Sequence, residues 1–223
     1  MTDIRPLTPE NTHRSSLVHS EVLGVEFLAR FGTRFLRAYH RAWLDSPWGL
    51  ALAASDSQHE MVGVVLASLD PAQHYRWMLT HSGPRLAAHM VAGTTLKPAL
   101  ARDLLVTRGP RYARAVWRQL TAGKVPAPAV QDGPPVAEVT HLMVSGRAQG
   151  AGTGKALLGE VEKRAAAAGL HQLVLVTPPD LASRHFYEHL GWSPSGIVIS
   201  RSGEEFIRFT RQVGAPVGTD TKW

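Results

Sequence analysis

Three alternating glycines lie in the segment Gln149-Gly150-Ala151-Gly152-Thr153-Gly154, and a helical pattern, KALLGEVEKRAAAA, begins at Lys155 directly after them. The residues before them, AEVTHLMV (137–144), have the composition of a strand. A strand, a glycine turn and a helix start together offer chemistry for an anion. Glycine lets the backbone approach a phosphate, and first-turn N–H groups have no partner inside the helix. The helix dipole adds about 0.3–1 kcal/mol per favourable charge. Two common phosphate loops do not fit. A nucleoside-triphosphate loop needs glycine at 149 and Ser or Thr after the lysine, where the chain has Gln149 and Ala156. A dinucleotide loop needs its third glycine one residue later than Gly154, and an acidic residue on the next strand. Strand HQLVLVT (171–177) has none before Asp180.

The pattern that fits is Q-x-x-G-x-G, at Gln149, Gly152 and Gly154. Downstream, DLASRHFYEHLGW (180–192) is similar to a closing motif N-x-x-A-x-x-F-Y-x-x-L-G-F, with Phe186, Tyr187, Leu190 and Gly191 matching. Asp180, Ser183 and Trp192 stand where Asn, Ala and Phe are usual. Over residues 136–192 the chain thus resembles the GNAT superfamily of acyl-CoA-dependent N-acetyltransferases. The resemblance implies an α/β (α+β) fold: a mixed, mostly antiparallel sheet with helices on both faces, splayed at strands four and five. It implies acetyl-CoA as acyl donor and a primary amine as acceptor, attacked directly in a ternary complex.

Such a reaction needs a base for the amine, a donor for the oxyanion, a proton for the leaving thiolate and close positioning. By resemblance, backbone groups of Leu142, Met143 and Val144 pair with the pantetheine arm and hold the oxyanion. Gln149, Gly150, Ala151, Gly152, Thr153, Gly154 and Lys155 form the diphosphate set. Asp180, Ser183, Arg184 and Phe186 line the cofactor further on. Tyr187 is the acid, since a phenol can protonate a departing thiolate. By composition alone, Phe186 and Tyr187 are equally two core aromatics of an amphipathic helix. Glu138 and His141 are both candidate bases. Strand alternation puts 138, 140, 142 and 144 on one face and 139, 141 and 143 on the other, so both bases face the acceptor only if a bulge intervenes. A protein or peptide acceptor, and a non-catalytic acyl-CoA-binding module, are compatible with the same residues.

The elements that must position these groups follow from periodicity and breakers. Residues 3–8 suit a first strand and 11–20 a helix. Residues 21–45 suit a stronger helix, with Leu28, Phe31, Phe35, Tyr39 and Ala42 on one side and Arg30, Arg34, Arg37 and Arg41 on the other; Gly32 is a point of possible breakage. Residues 48–55 and 61–69 suit a hairpin. Residues 72–122 suit a helical insertion, broken at Gly83-Pro84, Pro98 and Gly109-Pro110, and 123–135 a Pro/Gly-rich linker. Then come strand 136–144, helix 152–168, strand 171–177, helix 181–190 and a hairpin of 195–201 with 204–212. The expected domain is 1–213, with a flexible tail at 214–223.

With 223 residues the chain can bury a full core. It has no cysteine, so no thiolate can carry an acyl group or bind a metal. No apolar run approaches 18 residues, and MTDIRPLTPEN lacks the pattern of a leader; a cytoplasmic protein without membrane contact is expected. The net charge is +6, with 19 Arg and 5 Lys, yet no basic–aromatic repeat or zinc finger points to nucleic acid. A small polyanion such as coenzyme A suits the charge. The Arg30/Arg34/Arg37/Arg41 stripe is either a solvated face or a preference for an anionic acceptor. No His/Asp/Glu spacing suggests a metal site. A monomer or homodimer acting on a small-molecule amine is the expectation.

Overall fold

The computed structural model describes residues 2–95, 97–108, 135–200 and 203–214. Seven strands form one sheet: β1 (Asp3–Pro6), β2 (Gly49–Ser55), β3 (Met61–Ser68), β4 (Ala137–Val144), β5 (Gln172–Thr177), β6 (Ser193–Ile199) and β7 (Glu205–Gln212). Their order is β1-β2-β3-β4-β5-β7-β6. Every neighbouring pair is antiparallel except β4–β5. The exception follows from the crossover helix between those two strands, which returns the chain to the end where it started. The β2–β3 turn is set by Asp56, whose carboxylate accepts from the N–H groups of Gln58 (2.9 Å) and Glu60 (3.0 Å). All eight residues of β3 are buried, which explains its unbroken apolar run.

Helices cover both faces. On one, α6 (Thr153–Ala167) lays Leu157, Leu158 and Val161 over Leu52, Val65, Val139, Leu173 and Phe209. On the other, α1 (Thr12–Val22) and α2 (Thr33–Asp45) lay Val18 and Trp43 over Ala51, Val64, Leu66 and Met143. α3 (Pro71–Trp77), α4 (Gly83–Thr94) and α5 (Pro98–Arg102) follow β3. Leu86, Met90, Leu100 and Leu104 of this segment join Phe27, Phe31, Phe35 and Leu36 in a third cluster outside α2. α7 (Leu181–His189) precedes the β6–β7 hairpin.

Strand and helix positions agree with the periodicity, with two differences before residue 108. The helix expected over 21–45 is two pieces: α1 ends at Val22, and α2 starts only after Gly32. Gly32 has φ +91°, which no helix passes through. Arg30 therefore sits in a short turn before α2 rather than in line with Arg34. Conversely, Gly83-Pro84 does not break the insertion. Helical turns run on from Pro71 to Thr94, with a π-helical turn, Met78–Ser82, directly before Gly83-Pro84, which shifts the backbone bonding where proline lacks an N–H. The break at Gly109-Pro110, the linker up to Pro134, and the tail from residue 215 lie outside the described residues. Among the described residues no helix is long and apolar enough to cross a membrane.

Candidate active site

The sheet opens in its middle. β4 pairs with β5 only at Ala137–Leu173, Glu138–Val174 and Val139–Leu175. From Thr140 to Val144, no strand among the described residues pairs with the edge of β4 that faces β5. On its other edge β4 stays paired with β3, but with a bulge. Leu66 faces His141 while the next residue, Ala67, faces Val139, leaving Thr140 unpaired.

That extra residue decides which side chains share a face. Ala137, Val139, Leu142 and Val144 pack toward α6, whereas Met143 packs toward α1 and α2. His141, in contact with Tyr39 of α2, shares Met143's face, and so by alternation does Glu138. Uninterrupted alternation put Glu138 and His141 on opposite faces; the bulge at Thr140 brings both to the α1–α2 side. Glu138 is half-buried, and burial raises its pKa while the Arg208 charge on β7 partly opposes the rise.

The glycine segment leaves the open end of β4. Ser145 is tied to α1 by its hydroxyl, which donates to Glu21 Oε1 (2.6 Å), and Gln149 Nε2 donates back to the Val144 carbonyl (3.1 Å). That bond takes up one of the β4 carbonyls expected to face the pantetheine arm. Gly150 (φ +75°) and Gly152 (φ +79°) adopt the left-handed turn that delivers the chain into α6. Gly152 is the N-cap and supplies no side-chain acceptor, and the first helical bond runs from the Ala156 N–H to the Gly152 carbonyl (2.9 Å). The N–H groups of Thr153, Gly154 and Lys155 therefore have no intrahelical acceptor, the condition for an anion site. Gly154 is also a packing position: a Cβ there would lie 3.0 Å from Phe186 Cζ and 3.7 Å from Val144 Cγ2. Arg147 sits 4.0 Å from Asp56.

α7 carries the remaining expected residues. Asp180 is its N-cap, accepting from the Ser183 N–H (2.8 Å), and that bond holds its carboxyl below the usual range. This is a backbone reason for an acid at a position where the motif has Asn. Arg184 is engaged by Glu188 one turn on (2.8 Å). Phe186 is partly exposed beside Gly154, edge-on to Tyr187 (5.1 Å between ring centres). The Tyr187 ring rests on Phe209 and Trp192 in the α6-side core, and its hydroxyl makes no hydrogen bond among the described residues. Burial, with the Asp180 charge second, pushes its pKa up to about 12. Tyr187 is thus on the α6 side of the sheet and the two candidate bases are on the α1–α2 side.

A set of side chains that motif reasoning missed surrounds His141. Tyr39 Oη lies 3.1 Å from His141 Nε2, and Glu26 Oε2 lies 3.9 Å from Nδ1. His19 of α1 stacks beside it, with ring centres 5.0 Å apart. Burial pushes the Glu26 pKa up and lowers those of His19 and His141 to about 4 and about 3. Nothing local signals this group, since its members come from α1, the following loop, α2 and β4. The arginine stripe lies elsewhere. Arg34, Arg37 and Arg41 face away from the core side of α2 and, with Arg85 and His89 of α4, line a hollow of about 250 Å³.

Residues 112–192 match the model of the acetyltransferase (GNAT) family, a span that takes in β4, the glycine turn, α6, β5 and α7. No curated protein matches the sequence. Solved structures share the fold. A putative GNAT-family acetyltransferase from Desulfovibrio desulfuricans is 15% identical with TM-score 0.58, covering 96% of this chain and 100% of that one. The ribosomal-protein-S18-alanine N-acetyltransferase of Escherichia coli is 11% identical with TM-score 0.55, covering all of both chains. A spermidine N-acetyltransferase chimera of Vibrio cholerae SpeG and hSSAT is 11% identical with TM-score 0.58, covering 95% of each. At these identities the likeness is one of fold.

Proposed function

We propose that this chain, which carries a GNAT-family acetyltransferase domain, transfers an acetyl group from acetyl-CoA to the primary amine of a small molecule. The observation that carries the reading is the open edge of β4. Pairing with β5 stops at Val139, and an uncapped helix N-terminus stands at the end of the same strand. An extended pantetheine arm fits beside the free backbone of Leu142 and Met143, and a diphosphate fits the free amides of Thr153, Gly154 and Lys155. Acetyl-CoA brings the activated thioester; the chain supplies the rest. Glu138 or His141, on the α1–α2 face, takes the proton from the amine. A β4 N–H near Leu142 or Met143 holds the oxyanion. Tyr187, protonated throughout the working range, gives a proton to the departing sulfur.

Both small amines and proteins are acceptors among the proteins sharing this fold, so the fold does not choose the substrate. The α3–α5 segment favours a small one. It packs on Phe27, Phe31 and Phe35, α4 approaches the Phe31 backbone at Gly93, and Lys97 Nζ donates to the Arg30 carbonyl (2.8 Å). It thus holds down the loop that carries Glu26 and narrows that side. The test is release of free coenzyme A across amino sugars, amino acids, polyamines, aminoglycosides and peptides. Turnover with a small amine supports the reading. Turnover with peptides alone overturns the substrate class. Acetyl-CoA binding without any turnover leaves a binding module.

A further inference from the structure

His19, Glu26 and His141 each bring one metal-ligating atom within 4.8 Å of the other two. Each imidazole has one nitrogen engaged in a way that frees the other. The Ser15 hydroxyl donates to the Thr12 carbonyl (3.1 Å), so its oxygen accepts from His40 Nδ1 (2.7 Å). His40 Nε2 then accepts from His19 Nδ1 (2.9 Å). His19 Nε2 is left with a bare lone pair, on a side chain 0% exposed, and has no hydrogen-bond partner among the described residues. Across the group, His141 Nε2 and Tyr39 Oη share a hydrogen bond (3.1 Å); in the tautomer where Nε2 donates, the Nδ1 lone pair stands on the side of Glu26.

We propose that His19, Glu26 and His141 form a binding site for a divalent transition-metal ion of the zinc type, with a fourth position left for solvent or ligand. Two imidazoles and a carboxylate are a common donor set for zinc with an open position. His40 and Tyr39 stand behind the two imidazoles as the partners that fix ring orientation in such sites. The present 3.9 Å between His141 Nδ1 and Glu26 Oε2 is wider than the roughly 3.3 Å that bonds of about 2.0 Å set in a tetrahedron. Glu26 is the ligand able to close it, being on the loop after α1 and 42% exposed. A metal held there occupies the His141 lone pair, so zinc inhibits acetyl transfer where His141, rather than Glu138, is the base. That consequence rests on the acetyltransferase reading; the binding does not.

The test is titration of the full chain with Zn²⁺ by calorimetry, and with Co²⁺ by visible absorption, before any activity is measured. One Zn²⁺ per chain and an intense tetrahedral Co²⁺ spectrum are expected. Glu26→Gln, a change on a half-exposed loop residue, lowers affinity at least about 10-fold with an unchanged melting curve, a loss on the scale of altered metal shells. His19→Gln does the same, and H141N is the second variant should H19Q not fold. His185→Gln/His189→Gln, which removes an exposed pair one turn apart on α7, leaves binding intact. Absence of Zn²⁺ binding, affinity unchanged in E26Q, or binding lost in the α7 variant overturns the site. Zn²⁺ binding with no enzyme activity under any condition leaves the site standing and counts against the acetyltransferase reading alone.

Discussion

Gly154→Ala separates two roles for the glycine turn. Were Gly154 needed for approach to a phosphate, an added methyl would weaken coenzyme A binding whatever residue 186 is. The geometry gives a different cause. The new Cβ meets the edge of the Phe186 ring at 3.0 Å, and the ring must move by a few tenths of an ångström. Overpacking of this kind costs about 1–3 kcal/mol. Against it, Ala in place of Gly inside α6 contributes about 0.8–1.0 kcal/mol of helix propensity. The net is a loss of about 1 kcal/mol in the native background, or about 2–4 °C in melting temperature for a chain of this size. In a Phe186→Ala background the obstruction is gone and only the propensity remains. Gly154→Ala should then raise the melting temperature by about 2–4 °C. The four proteins of this cycle are compared by thermal melts, with calorimetric coenzyme A titration alongside. A coupling of about 1–3 kcal/mol with reversal of sign is expected. Additivity within about 0.5 kcal/mol would refute the packing argument and return Gly154 to the phosphate.

Tyr187→Phe removes a hydroxyl that no group among the described residues holds, so the melt and cofactor affinity stay put while turnover falls on the order of 10²-fold; full activity dismisses the acid role. Arg208→Gln removes the charge that holds the Glu138 carboxyl down. If Glu138 is the base it must lose its proton to act. Its pKa then rises, and the acidic limb of the kcat/KM profile moves to higher pH; an unmoved limb assigns the base elsewhere. Asp180→Ala loses the α7 cap and about 1 kcal/mol of stability, whereas Asp180→Asn keeps an acceptor and loses only a few tenths. Equal melts for the two variants would show that the cap is not what Asp180 provides.

The parts that were legible are those whose geometry is local. The glycine pair that turns β4 into α6, the helix it starts, and the Phe186–Tyr187 pair on the next helix are each written within a few residues, because dihedral preference and helical period act over that range. The α6 span and most strand limits followed for the same reason, while β6 begins two residues before its expected start. Gly32 was visible as a weak point, but whether the chain breaks there depends on Phe31 packing with Phe27 and Phe35. That Gly154 packs against a ring was not legible from spacing, since the ring is contributed from a helix beyond β5.

The sequence by itself determined the glycine turn, the elements on either side of it and the place of Tyr187 on the helix after β5. Tertiary structure alone decided which base faces what. Ala67 pairing with Val139, after Leu66 has paired with His141, leaves Thr140 over, and that one residue swings Glu138 onto the face of His141. Register is a relation between two strands, and a period-two pattern turns over with a single residue of slip, so no reading of β4 alone could supply it. The meeting of His19, Glu26, Tyr39 and His141 has the same origin. Each looks unremarkable in its own segment, and burial beside the others is what gives it chemistry.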